Sequence, residues 1–194
     1  MNNILIDKLP RLVRVKDKIF QLETDFRAGI SFALMVEAGQ DDFFELCRPF
    51  FPEGLPEDMN GAVEAVLWFY HSGEKPEKET NKKEPPVYSY DVDREAIFAD
   101  FWRFYNIDLS QEGLHWWAFR SLLLGLPEDS NFKNRIYYRS CDLRSLPKRE
   151  QKRISEIRKR IEIKTNVTGG KITLEQRNKM LIDYVNKRSA ETRR

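Results

Sequence analysis

Cysteine, histidine, glycine and proline are all scarce in this chain: 194 residues hold two, two, nine and nine of them. Cys47, in FFELCRPF, and Cys141, in YRSCDLRS, show no CxxC spacing and no adjacent histidine. That excludes a zinc-ligand set from sequence and leaves no Cys/His nucleophile pair, so both cysteines read as reduced thiols. So few glycines and prolines argue against an all-β fold with many tight turns. The strings GxSxG, HExxH and GxGxxG are absent, and with them the nucleophile elbow, the metalloprotease helix and the dinucleotide loop. No apolar run approaches the roughly 20 residues needed to span a bilayer. The start, MNNILIDKLPRLVRV, has no basic stretch followed by an apolar one. The expectation is a soluble cytosolic chain with no membrane partner, no cofactor, no metal and no catalytic group.

Charge is abundant. Charged residues make up 33% and hydrophobic ones 41%, which suggests long solvated helices around a core that needs no covalent staple. The net charge of +2 hides an asymmetry. Residues 1–132 carry 14 basic and 24 acidic side chains, and residues 133–194 carry 19 and 7. Such a split points to an acidic partner for the C-terminal third, to attraction between the two parts, or to a well-solvated tail.

The pattern predicts a mainly α fold: an N-terminal β-hairpin packed on a helical bundle, a long basic helix, and a further terminal helix. Leu12–Val15 and Ile19–Leu22 alternate as strands about a turn at Lys16-Asp17-Lys18. A helix capped by Thr24 or Asp25 carries Phe26, Ile30, Ala33 and Leu34 and ends at Gly39. A second opens at Asp41-Asp42 and stops before Pro49. A third spans about 60–71, with Val63, Val66, Leu67 and Tyr70 as its stripe. Residues 73–86, GEKPEKETNKKEPP, contain no large apolar group, so they read as a flexible linker or a surface loop. That linker divides a 1–72 lobe from an 87–165 lobe. The second lobe holds an aromatic helix with Ile97, Phe101, Phe104 and Tyr105 on one face and Phe98 and Trp102 beside it. Helices at 114–124, 131–140 and 148–164 follow. VTGG at 167–170 reads as a hinge, and 174–188 as a last helix opened by the capping-box pattern Thr173-x-x-Gln176.

The segment GLHWWAFRSLLLGLP at 113–127 holds half of the histidines and half of the tryptophans. On a helical wheel of 100° per residue its apolar groups occur on every side, and Trp116 and Trp117 point about 100° apart. This predicts a helix buried between neighbours rather than a stacking platform, with His115 hydrogen-bonded or at the rim. The expected core is Phe26, Ile30, Ile97, Phe101, Trp102, Trp116, Trp117, Phe119 and Leu123. Asp91-x-Asp93 offers two carboxylates but no third ligand, and helix capping explains them with less assumed. VTGGK at 167–171 lacks the spacing of a phosphate loop.

The basic helix 148–164 has eight Lys/Arg and three Glu. It reads as a solvated face, as a protein-binding helix, or as a phosphate-binding one. Its apolar seam of Ile154, Ile157 and Ile161, with Arg153 and Arg158, is one candidate partner surface. Leu181, Tyr184 and Val185 of the last helix are another. The alternative is that both stripes dock on the chain's own core.

The order of ETDFR at 23–27, YDVDREAIFADFWRFYNIDLS at 90–110 and LHWWAFRSLLLGLPEDSNFKNRIYYRSCDL at 114–143 resembles the siphophage tail-region "gp fifteen" family over about residues 3–163. LHWW-x-FR-x-L-x-x-GLP is the most specific string. The resemblance implies a non-enzymatic phage or prophage tail assembly chaperone in the host cytoplasm. Its partners would be the tape-measure protein and, secondarily, the major tail protein. The other readings are a structural tail component kept in the virion and a nucleic-acid-binding phage factor. The hairpin turn, where the family would be expected to place glycine, is Lys16-Asp17-Lys18 instead. The tail after about Thr165 looks like an extension.

Overall fold

The computed structural model describes residues 4–74 and 86–164. They form two compact units, one of residues 4–74 and 114–119, the other of residues 86–113 and 120–164. Neither is contiguous in sequence, because the segment 114–119 groups with the N-terminal residues. Most of the linker expected at 73–86 lies outside the described residues, as do the hinge at 167–170 and the helix at 174–188 with Leu181, Tyr184 and Val185.

In the first unit, strands β1 (Leu12–Val15) and β2 (Lys18–Gln21) pair antiparallel with Val15 opposite Lys18. Only Lys16 and Asp17 lie between them, and Lys16 takes φ 53°. A two-residue hairpin connection demands positive φ at its first position, which is why glycine is the usual occupant. Val13 and Val15 turn inward and are buried, while Leu12 and Ile19 stay exposed on the opposite face.

Helix α1 (Phe26–Ala38) begins where the Asp25 carboxylate accepts the Arg27 N–H at 2.9 Å. It ends at Gly39, whose φ of 94° lets its N–H close on the Met35 and Val36 carbonyls. Phe26, Phe32, Ala33 and Val36 are its inward line. Ile30, one step past the inward Gly29, is only half-buried, a correction to its expected core position. Helix α2 (Phe43–Cys47) is capped by Asp42 and runs on into a 3₁₀ turn, Arg48–Phe50, that accepts Pro49 in its first turn. Helix α3 (Met59–Tyr70) buries the expected stripe together with Ala62 and Phe69. Phe32, Phe50, Phe69 and Tyr70 meet ring to ring between these helices.

In the second unit, helix α4 (Arg94–Asp100) passes into a π-helical turn, Phe101–Tyr105, closed by Asn106 at φ 54°. Helix α6 (Asn131–Ser140) starts at Ser130, whose hydroxyl accepts the Lys133 N–H at 3.2 Å. Helix α7 (Lys148–Arg160) is the basic helix. Ile97, Phe101, Leu123, Phe132 and Ile154 are buried in this unit. Trp102 is not: it is 53% exposed, which corrects its expected place in the core. Phe101, one residue earlier, takes the inward direction at 0% exposure, and the next helical position points about 100° away from it. Helix α5 (Trp116–Leu124) carries residues of both units.

Candidate functional site

The histidine–tryptophan segment is core. Trp116 is fully buried and its Nε1–H donates to the Tyr70 carbonyl at 2.9 Å. Trp117 donates Nε1–H to the Phe69 carbonyl at 2.7 Å. Both indoles therefore close the C-terminal end of α3, where helical carbonyls lack intrahelical donors. Trp116 also stacks on Tyr70 at 5.1 Å and on Phe119 at 5.9 Å, and Phe119 stacks on Phe26 at 4.7 Å. Its ring lies over Gly29, where an added Cβ would fall 2.3 Å from Trp116 Cε3. Only glycine permits that approach.

His115 uses both ring nitrogens. Nδ1 accepts the Trp117 N–H at 3.1 Å, and Nε2 lies 2.9 Å from the Pro10 carbonyl. A nitrogen that accepts a backbone N–H carries no proton, so the neutral tautomer has its hydrogen on Nε2 and donates it to Pro10. Burial pushes the imidazole below its ordinary pKa, the nearby Arg11 charge adds to that, and the Pro10 hydrogen bond opposes it. The ring is a neutral tie between the segment before β1 and the start of α5.

The second unit holds a polar cluster that the sequence pattern did not reveal. Asp93, fully buried, receives Arg139 through two parallel hydrogen bonds, and Arg135 Nη1 at 3.1 Å. Arg139 also reaches the Val87 and Ile161 carbonyls, and Arg135 the Val92 carbonyl. Burial raises the Asp93 carboxyl, but the Arg139 and Ser89 hydrogen bonds, the Arg139 charge and the Arg135 hydrogen bond outweigh it and hold the pKa below the usual carboxylate range. Asp93 stands at the N-cap position of α4 without capping it. The capping role expected of it is thus replaced by ion pairing across 46 residues. Asp91 pairs with Arg94. A second buried carboxylate, Asp100, caps α6 from outside by accepting the Asn131 and Phe132 N–H groups at 3.1 and 2.7 Å. Little in the local sequence marks either carboxylate: apart from the Ser89 N–H on Asp93, the arginines that pair with Asp93 and the α6 groups that Asp100 caps lie more than 30 residues away.

The expected partner seam of α7 is largely spent within its own unit. Ile154 and Ile161 are 3% and 9% exposed, and Ile157 is half-buried. Arg158 donates to the Tyr138 and Cys141 carbonyls at the C-terminal end of α6. Arg153 alone of that group is well exposed, 4.0 Å from Glu150. Cys47 is buried and its thiol is pushed up to about 12 by that burial, so it is a poor nucleophile. Among the described residues no group of three or more His, Cys, Asp or Glu could hold a metal ion, and no helix is long and apolar enough to cross a membrane.

What the fold leaves outside is aromatic. Phe98 and Trp102, four positions apart, are 41% and 53% exposed. Their rings stack at 6.4 Å and 27° on the outer face of α4 and the π turn. Arg103, beside them, lies over Phe104 at 4.9 Å. π turns are uncommon and concentrate at functional sites, and tryptophan and arginine dominate the energetics of protein contacts.

Comparison with known families decides the kinship. The family described as "Bacteriophage Gp15 protein" matches residues 5–163. The chain belongs to this family. The match takes in both described units, from the residues before β1 to the end of α7, and stops short of the basic tail. The Gp15 core therefore includes the indole-capped α3, the Asp93 cluster and the exposed aromatic pair. No curated protein and no solved structure matches the chain.

Proposed function

We propose that this Gp15-family chain is a non-enzymatic tail assembly chaperone that binds the phage tape-measure protein, keeps it soluble and aids tail-tube assembly. The observation that carries this reading is the solvent-exposed Phe98/Trp102 stack. An amphipathic client helix presents an apolar stripe at three- and four-residue spacing. Two aromatic rings one helical turn apart match that repeat, and Arg103 supplies a cation at the rim. The reading also draws on His115, the first residue one would test for catalysis, because both its ring nitrogens are committed to the backbone.

Co-expression with a phage tape-measure protein tests it. The full chain should raise the soluble yield of the client, and the Phe98→Ala/Trp102→Ala double variant should lose most of that rescue while keeping its helical circular dichroism. Unchanged client solubility with the wild-type chain refutes the chaperone role. Repeating the assay without residues 165–194 tests the tail as a second contact. The second reading is a structural component kept in the virion, favoured if mass spectrometry finds the chain in purified particles. The exposed cations of α7, such as Lys152 and Arg153, keep a nucleic-acid role testable by salt-dependent binding.

A further inference from the structure

The hairpin has one open edge. Leu22 N–H bonds the Arg11 carbonyl at 2.8 Å, so with the observed register Val13 and Val15 are the hydrogen-bonded positions of β1. Leu12 and Arg14, at the alternate positions, aim their backbone N–H and C=O away from β2. No described group accepts or donates to them. Beyond that edge lies a groove of about 670 Å³ between β1 and α3. Its strand wall is the unbroken run Leu12–Lys16, with no β2 residue besides. Consecutive strand residues line a space together only along an edge, since a strand face presents every second one. The opposite wall is the α3 face of Gly61, Glu64, Ala65 and Trp68, spaced as one helical stripe. Gly61 brings the helix within reach of Val15, where an added Cβ would lie 2.6 Å from its Cγ1. Glu64 is exposed with no partner among the described residues, and Trp68 is 36% exposed.

We infer that this groove receives a basic, extended peptide segment of another protein, which pairs with the outer edge of β1 as a third strand. Main-chain hydrogen bonds to Leu12 and Arg14 would supply the pairing, and the α3 wall the side-chain pockets. Charge selects the occupant: the described residues of this unit carry 7 basic and 13 acidic side chains, and of the charged groups lining the groove Lys16 pairs with Asp58 at 3.4 Å, which leaves Arg14 on the strand wall and the carboxylate of Glu64, with no partner among the described residues, on the helix wall. A lysine or arginine of the incoming strand faces Glu64, and its aliphatic neighbours cover Ala65 and Trp68. A second copy of the chain fits less well, because its own α3 flanks the same edge and would enter the same space.

The test is fluorescence anisotropy on the full chain with a labelled nine-residue peptide alternating lysine and valine. Saturable binding is expected. It should weaken by about tenfold or more for the same peptide N-methylated at every second backbone nitrogen, and for one alternating glutamate and valine. Arg14→Pro removes an outward N–H without breaking a bond to β2 and should weaken binding similarly. Ala65→Arg, which fills the groove from the helix side, should abolish it even where Arg14→Pro fails to fold. Equal affinity for the methylated peptide, unchanged binding by Ala65→Arg, or no saturable binding below about 1 mM overturns the inference. So does sedimentation showing a dimer that Ala65→Arg dissociates, which would assign the edge to a second copy.

Discussion

Arg139 grips Asp93 with two parallel hydrogen bonds, Nη1 to Oδ2 at 2.6 Å and Nη2 to Oδ1 at 2.8 Å. The carboxylate is fully buried and the arginine side chain is 8% exposed. Removing one partner of such a pair strands the other charge, at a cost of about 3–5 kcal/mol. Asp93→Ala should therefore lower the unfolding free energy by that order, measured by urea denaturation. The Asp93→Ala/Arg139→Met double variant should lose less than the sum of its parts. Because the folded-state pKa of Asp93 is lowered, its contribution is present above the unfolded carboxylate value, near 4, and disappears as pH falls through the folded one. Asp93→Asn should flatten the stability profile of the wild type below about pH 4.

His115 carries the opposite chemistry with the same sign. Its folded pKa is lowered, so the folded state favours the neutral ring. Above the unfolded value of about 6.5 its contribution is complete. As pH falls from there through the folded pKa, the unfolded chain takes up the proton first and stability declines. Thermal unfolding at pH 7.5 and 5.5 should show a fall in midpoint for the wild type, and a smaller fall for His115→Gln. An equal fall in both would remove His115 as the source.

Gly29 is held to its identity by Trp116 rather than by backbone conformation. Alanine would normally improve a helix interior by about 1 kcal/mol. Here its methyl would meet the indole at 2.3 Å, and Trp116 is enclosed on all sides. Overpacking should dominate, so Gly29→Ala is expected to destabilise by about 2 kcal/mol or more. Combining it with Trp116→Phe, which vacates part of that space, should recover some of the loss. Simple additivity of the two would argue against the contact as the cause.

The two thiols should separate by reactivity. Cys47 is buried with its pKa pushed up to about 12, whereas Cys141 is half-buried. A disulfide reagent at neutral pH should modify Cys141 in the native protein and reach Cys47 only on unfolding. Two thiols reacting at similar rates without denaturant would contradict the packing around Cys47.

The local signals in the chain were legible because they act over a few residues. Asp25, Asp42 and Gly39 start or stop helices through hydrogen bonds to their own neighbours, and the alternation of Leu12–Val15 makes a strand in any half-buried setting. The density of apolar groups at 114–124 likewise required burial of Trp116, Trp117 and Phe119, wherever that helix came to rest. What the chain alone left open was which face meets which neighbour. Trp102 and Trp116 sit in similarly aromatic runs, yet one is exposed and the other enclosed. The difference is set by Phe101 taking the inward position in one case, and by Gly29 and Tyr70 making room in the other. The Ile154–Ile161 seam is legible as amphipathic, but only packing decides that it turns inward. Asp93 and Arg139 look like ordinary surface charges in sequence. Folding makes them a buried pair, because desolvation leaves each charge no partner but the other groups that the tertiary structure brings alongside.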